Sequence, residues 1–324
     1  MIVSVSIPVP RIPVGEGFQD LFDWLTTHMG GFFDAISSGI GYVVDRLIDL
    51  LVAPDPVVLA VLFALLGLLL RGWKFAVGTL VGMLLIVSME QWVTAMETLA
   101  LVLVSAFVAV VIAIPLGILA AGNRWTSAAV KPVMDLMQTM PAFVWLVPVV
   151  TLFGIGVVPG VIATIIFALP PGVRLTELGI RNVDAEIVEA THAFGATPRQ
   201  TLLGVELPLA TPTIMAGINQ VIMLALSMAV IAGLVGGGGL GGQVTSAIAT
   251  LDIGLGFEAG LSVVVLAIYL DRLTAALGQG DAGAGLLSRW RRKRSSGEEE
   301  TAVDGAAEES PEMLDITTTQ KIGA

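Results

Sequence analysis

The chain contains no cysteine, two histidines and two tyrosines among its 324 residues. Without thiols there are no disulfides, thiolate metal sites or cysteine nucleophiles, and the redox compartment is left open. His28 and His192 lie far apart in sequence, so they form neither a metal pair nor a catalytic one. Charge is also scarce. Charged residues make up 13% of the chain and hydrophobic residues 55%, whereas a soluble domain is about 25% charged. A chain so poor in charge takes lipid as its solvent, and its packing is helix on helix within a bilayer. The net charge of −11 is unevenly spread, because eight of the 27 acidic residues fall in Glu298–Asp315. The basic residues are scattered through short loops, so no nucleic-acid partner is implied. The start, "MIVSVSIPVPRIPVGEG", lacks a basic n-region and its apolar run is broken by prolines. No cleavable signal peptide is expected there.

Long apolar runs are what the chain does have. A membrane-spanning helix needs about 20 mainly apolar residues. Seven segments qualify or nearly so: 57–70, 75–88, 97–121, 136–153, 157–173, 209–235 and 257–276. The expected fold is therefore all-α, a polytopic helical membrane protein. The first two runs are short enough to form a tight hairpin instead of two full spans. Basic residues favour the cytoplasmic side of such a protein. With the C-terminus inside, Arg71, Lys74, Arg124, Lys131, Arg174, Arg181, Arg199, Arg272, the "RWRRKR" cluster and Lys321 all face the cytoplasm. Of 16 basic residues, Arg11 and Arg46 alone then fall outside, and loops 89–96, 154–156 and 236–256 hold none. The expected topology is N-terminus out and C-terminus in. His28 and His192 then lie on opposite membrane faces.

Residues 18–52 differ from the spans. Phe18, Leu21, Phe22 and Leu25 recur at helical spacing between Asp20 and Asp23, and Val43, Val44, Leu47, Ile48 and Leu51 repeat the pattern. Such segments are amphipathic and lie along an interface. Gly30-Gly31 and "SSGIG" at 37–41 are expected to break them into short pieces. A packed extramembrane domain is the alternative, and 35 residues bury little core for one. The layout is thus 1–53 as extracytoplasmic interfacial helices, 54–93 as an accessory transmembrane hairpin, 94–280 as a core, and 281–324 as a basic and then acidic tail. The tail beyond Arg294 is rich in Glu, Ser, Ala and Thr, has no aromatic residue, and is expected to be disordered.

One stretch between apolar segments is neither apolar nor low in complexity: "VEATHAFGATPRQTLLGVELPLA", Val188–Ala210. Asp184 is a natural N-cap for a helix from Ala185, and Gly195 sits where a left-handed C-cap is wanted. Thr197-Pro198 restarts a helix as N-cap and first residue, and this second helix is expected to run to Glu206. The outcome is a capped, rigid two-helix elbow on the cytoplasmic side. It is either a docking element for another protein or an ordinary structured loop.

Glu189, Ala190, Gly195, Leu207 and Pro208 fit a pattern of Glu-Ala-Ala, three residues, Gly, nine residues, Ile, one residue, Leu-Pro, with Thr191 in place of Ala and Val205 in place of Ile. The stretch resembles the signature loop of permease subunits of binding-protein-dependent ABC importers. Met134–Ile180 and Pro212–Gly241 resemble the glycine betaine/proline/choline branch of that family, and the similarity covers roughly residues 15–280. The resemblance implies the type I ABC importer permease class. It also implies partners: two copies of this chain, two ABC ATPase subunits that carry ATP and Mg, and an extracytoplasmic substrate-binding protein, assembled in the cell membrane. In such a family the hairpin is the coupling helix, seated in a groove of the ATPase. Its substrate would be glycine betaine or a related quaternary-amine or proline-type compatible solute, taken up for osmoprotection.

Other motifs say less. "GGGGLGG" at 236–242 lacks the Gly-Lys-Ser/Thr ending and preceding strand of a phosphate loop. It is expected to be a helix exit with a flexible outer loop, which leaves this chain without an ATP site or any other cofactor. Segments 99–121, 143–170 and 209–235 hold no ionisable residue, which disfavours the alternative of an ion-coupled carrier or channel for a small zwitterion. A membrane enzyme is disfavoured by the lack of any catalytic cluster. Asp135 and Asp271-Arg272 lie at inner span ends, where anchoring suffices. Gln138, Thr139, Pro141, Pro148, Asn219, Gln220 and Ser227 interrupt the central spans. They fit a translocation path and equally fit helix-packing contacts. Trp73, Trp92 and Trp125 are expected to be interface anchors.

Overall fold

Helix is the sole regular structure among residues 13–278, the part of the chain that the computed structural model describes. The "RWRRKR" cluster and the acidic tail lie outside the described residues. The centre is built from α4 (Trp92–Gly122), α7 (Val157–Arg181) and α10 (Leu207–Ala232). All three are apolar around most of their girth, so burial on one side and lipid on the other both suit them. Small residues decide how closely they approach. A Cβ on Gly172 of α7 would come 2.8 Å from the Cβ of Ala113 on α4. One on Gly117 of α4 would come 2.5 Å from the Cβ of Thr176. Gly160 meets Leu101 and Ala232, while Gly172 meets Ala113 and Val221. Helix α4 therefore runs parallel to α7, and α10 antiparallel to both. Prolines 115, 170, 171 and 212 lie inside these helices, as neighbouring helices in a membrane permit.

Around this trio lie α2 (Pro56–Arg71) and α3 (Trp73–Ser88), joined through Gly72, and α12 (Ile253–Gly278). Among the described residues, four helices are long and apolar enough to cross a membrane, or up to six if each bent pair counts as one span. Seven were expected. The main difference is 136–153, which is a corner. Helix α5 (Arg124–Thr139) stops, a 3-10 turn covers Ala142–Trp145, and α6 (Leu146–Phe153) leaves at 107° to α5. Pro141 is the cause: its ring pushes the preceding residue out of the helical region, and Met140 is extended at φ −71°, ψ 135°.

Three further expectations are corrected. Residues 18–52 are not in short pieces, because α1 (Val14–Val52) is one 39-residue helix. Each interior glycine costs about 1 kcal/mol of helix propensity, and packing along α4 outweighs this. Val44 and Leu51 of α1 are buried, and Ile36, Gly39, Ile40, Val43 and Leu47 line a groove with Leu103, Val104, Phe107 and Val108 of α4. The glycine run at 236–242 is not a flexible loop. It makes a tight turn into α11 (Gly239–Thr250), a helix with no counterpart among the expected segments. A Cβ on Gly233 would fall 2.1 Å from the carbonyl carbon of Gly241, so this corner requires glycine for closeness. Trp92 is buried inside the bundle at 5% exposure, unlike the exposed Trp73 and Trp125.

Candidate functional site

Helix α7 ends at Arg181, and after a short turn Asp184 accepts the amide of Glu186 at 2.9 Å to start α8 (Ala185–Ala193). Gly195 follows in the left-handed region, at φ +83°, where a side chain is strained. The amide of Ala196 then returns to the carbonyl of Thr191 at 3.1 Å and closes the helix end. Thr197 and Gln200 form a reciprocal capping box, with Pro198 at the first helical position of α9 (Pro198–Thr201). Each of these features was readable locally.

The second arm departs from expectation. It does not finish at Glu206 as a separate helix. Leu202–Glu206 form a π-turn that leads straight into α10, and helix continues from Pro198 to Val235. One π-turn inside a helix is a common mark of a functional position. The hairpin is thus the exposed end of a long central helix.

The signature residues divide by environment. Glu189, Ala190, Gly195 and Pro208 are exposed, while Thr191, Val205 and Leu207 are half-buried. Thr191 Oγ1 lies 3.0 Å from Thr201 Oγ1 and so joins the two arms. An alanine there would make no such bond. Leu207 packs with Ile180, Ala210 and Ile214 at the hairpin base. Phe194 is 92% exposed at the tip. Under the hairpin a cavity of about 630 Å³ is lined by Arg181, Glu189, His192, Arg199 and Glu206 among others.

The candidate path residues fall in two places. Gln138 and Thr139 form the last turn of α5, and Pro141 is at the corner. Trp145 braces that corner by donating its ring N–H to the carbonyl of Met137 at 3.2 Å. On α10, Gln220 and Ser227 are exposed. Beside Ser227, Met228 clusters with Leu146 and Val149 of α6. Asn219 stands apart, donating to Asp271 of α12 at 2.9 Å and accepting from Thr274. That is helix-packing chemistry, the other reading the sequence left open for it.

Two carboxylates escaped the sequence reading. Glu97, near the start of α4, accepts the amide of Gly239 at 2.8 Å. Glu177 of α7 is buried and accepts from Ser127 Oγ at 2.7 Å, with Arg181 at 3.1 Å and Lys131 at 3.9 Å. Arg181 also donates to the carbonyl of Ala120 on α4 at 2.8 Å. The i,i+4 pair Glu177–Arg181 was a visible signal for the second. Nothing local pointed to the first. No cluster of three His, Cys, Asp or Glu side chains suited to a metal occurs among the described residues.

A helical bundle with a corner in one segment and a signature hairpin on a central helix is the fold of type I ABC importer permeases. One solved relative in fold is the MetNI methionine ABC transporter in an inward-facing conformation, at TM-score 0.52 and 23% identity, covering 56% of this chain and 91% of that one. Residues 113–280 match the family described as binding-protein-dependent transport system inner membrane component. The glycine betaine transport system permease protein OpuAB of Bacillus subtilis (strain 168) is 48% identical over 266 residues, 82% of this chain and 94% of that protein. The glycine betaine/proline betaine transport system permease protein ProW of Escherichia coli (strain K12) is 47% identical over 279 residues, 86% of this chain and 78% of that protein. The chain belongs to this family of inner-membrane transport components.

Proposed function

We propose that the chain is the permease subunit of an ATP-driven importer for glycine betaine or a related quaternary-amine or proline-type compatible solute. The observation that carries this reading is the capped hairpin, continuous with α10 and bearing the family signature at Glu189, Ala190, Gly195, Leu207 and Pro208. The substrate follows the names of relatives that match most of the chain.

The working complex on this reading holds two copies of the chain, two ABC ATPase subunits and an extracytoplasmic binding protein. ATP and Mg sit on the ATPase, and this chain supplies no nucleotide site. The hairpin faces the cytoplasm, with the N-terminus out and the C-terminus in. Closure of the ATPase dimer pushes the hairpin, and α10 carries the displacement along its length without a joint. Gln138, Thr139 and Pro141 at the corner, with Gln220 and Ser227 on α10, line the path; Asn219 borders it while holding α12.

The test is ATP hydrolysis by the reconstituted complex. Stimulation by glycine betaine is expected when the binding protein is present and not without it. Stimulation by a sugar or an ordinary amino acid in place of betaine overturns the substrate assignment.

A further inference from the structure

Helix α5 presents Ser127, Lys131 and Asp135 at four-residue spacing, which places them on one face. Helix α7 presents Arg174, Glu177 and Arg181, also along one face. The two rows meet. Ser127 and Lys131 engage Glu177, and Asp135 pairs with Arg174, so α5 runs antiparallel to α7 across a ladder of opposite charges. The register is strongly specified. Sliding α5 by one turn in one direction sets Asp135 against Glu177, and in the other sets Lys131 against Arg174. Both shifts oppose like charges.

Stability alone is a poor reason for such a ladder, since a buried carboxylate in an ion pair is often replaceable by apolar groups without loss. Its position is more telling. Arg181 also holds α4 through Ala120, and the hairpin helix α8 begins four residues later, at Ala185. At the other end, Gln138 and Thr139 follow Asp135 within one turn, and the 107° corner comes next.

We infer that Glu177 is a positioning residue for transport: with Asp135–Arg174 it fastens the broken α5–α6 segment to the hairpin end of α7, so that the coupling stroke reaches the corner at Met140–Pro141. This rests on the importer reading. Helix α10 receives the stroke through its own continuous backbone. The α5 segment is covalently remote from the hairpin and receives it through these side chains.

The experiment measures ATP hydrolysed per betaine imported in the reconstituted complex with its binding protein. Glu177→Gln, which keeps an acceptor for Ser127 and removes the charge, should assemble with the ATPase and raise this ratio several-fold. Asp135→Cys with Arg174→Cys, made in a chain without native cysteine, should also raise it. A short bis-maleimide joining the two should bring it back toward the parent value, a rescue that a merely structural role does not predict. An unchanged ratio in both variants overturns the inference, as does arrest of uptake by the cross-link, since α5 would then have to leave α7 during the cycle. A parent complex that ignores betaine overturns the importer reading and this inference with it.

Discussion

The amide of Gly239 donates to a carboxylate oxygen of Glu97 at 2.8 Å, across 142 residues of chain. The next amide, Leu240, donates to Thr98 Oγ1 at the same distance. Helix α11 thus has its first free N–H groups satisfied by side chains of α4, and the carboxylate also meets the positive end of the helix dipole. A carboxylate within an apolar segment is thereby explained by capping. Replacing Glu97 with Ala should cost about 1–2 kcal/mol, the usual loss for a missing cap. Glu97→Gln keeps an acceptor and should cost less. Thermal unfolding of the purified protein in detergent checks the order; equal melting of both variants and the parent would remove the cap from consideration.

Gly195 gives a second prediction. Its φ is +83°, and a Cβ built there meets nothing within 4 Å. The penalty for a side chain is therefore conformational, about 1–2 kcal/mol for most residues and less for Asn. Gly195→Asn should retain more uptake than Gly195→Ala, while Gly195→Trp should insert normally and fail to transport. Glu189→Lys should likewise leave insertion intact and disconnect ATP hydrolysis from uptake. Normal transport by Gly195→Trp would refute the coupling assignment.

These two sites show what the sequence could disclose. Hairpin caps obey rules that span three or four residues, so Asp184, Gly195, Thr197 and Pro198 were legible. The Glu97–Gly239 bond and the Glu177 ladder join residues 142 and 50 apart, and no local pattern encodes such partners. The corner at Pro141 carried a local signal, the restriction on Met140, but the apolar run on both sides reads as one span. The continuity of helix α1 is hidden for the opposite reason. Its glycines are weak breakers, and the tertiary packing that overrides them is invisible in a window of neighbours.

Topology is open to direct test because the chain has no native cysteine. Val93 and Leu251 are exposed at one end of the bundle, and Trp125 and Thr197 at the other. Single cysteines at 93 and 251 should react with an impermeant maleimide from outside intact cells. Those at 125 and 197 should react only after permeabilisation. Labelling of position 197 from outside would reverse the orientation and end the coupling proposal with it.

Substrate handling gives the last prediction. A quaternary ammonium is held best by the open faces of clustered aromatic rings. The aromatic group between α2, α3 and α12 uses its faces internally: Phe63 and Phe75 lie 5.4 Å and 6.1 Å from Tyr269, ring centre to ring centre. Phe143, beside the corner, is 56% exposed, and a single open ring contributes about 0.5–1 kcal/mol to cation binding, far short of the roughly 8 kcal/mol that micromolar affinity requires. The permease without its binding protein should therefore bind betaine no tighter than about 1 mM. Equilibrium binding of labelled glycine betaine to the purified permease, and separately to the binding protein, distinguishes the two. Micromolar binding to the permease alone would show that it carries a cage of its own and that selection does not rest with its partner.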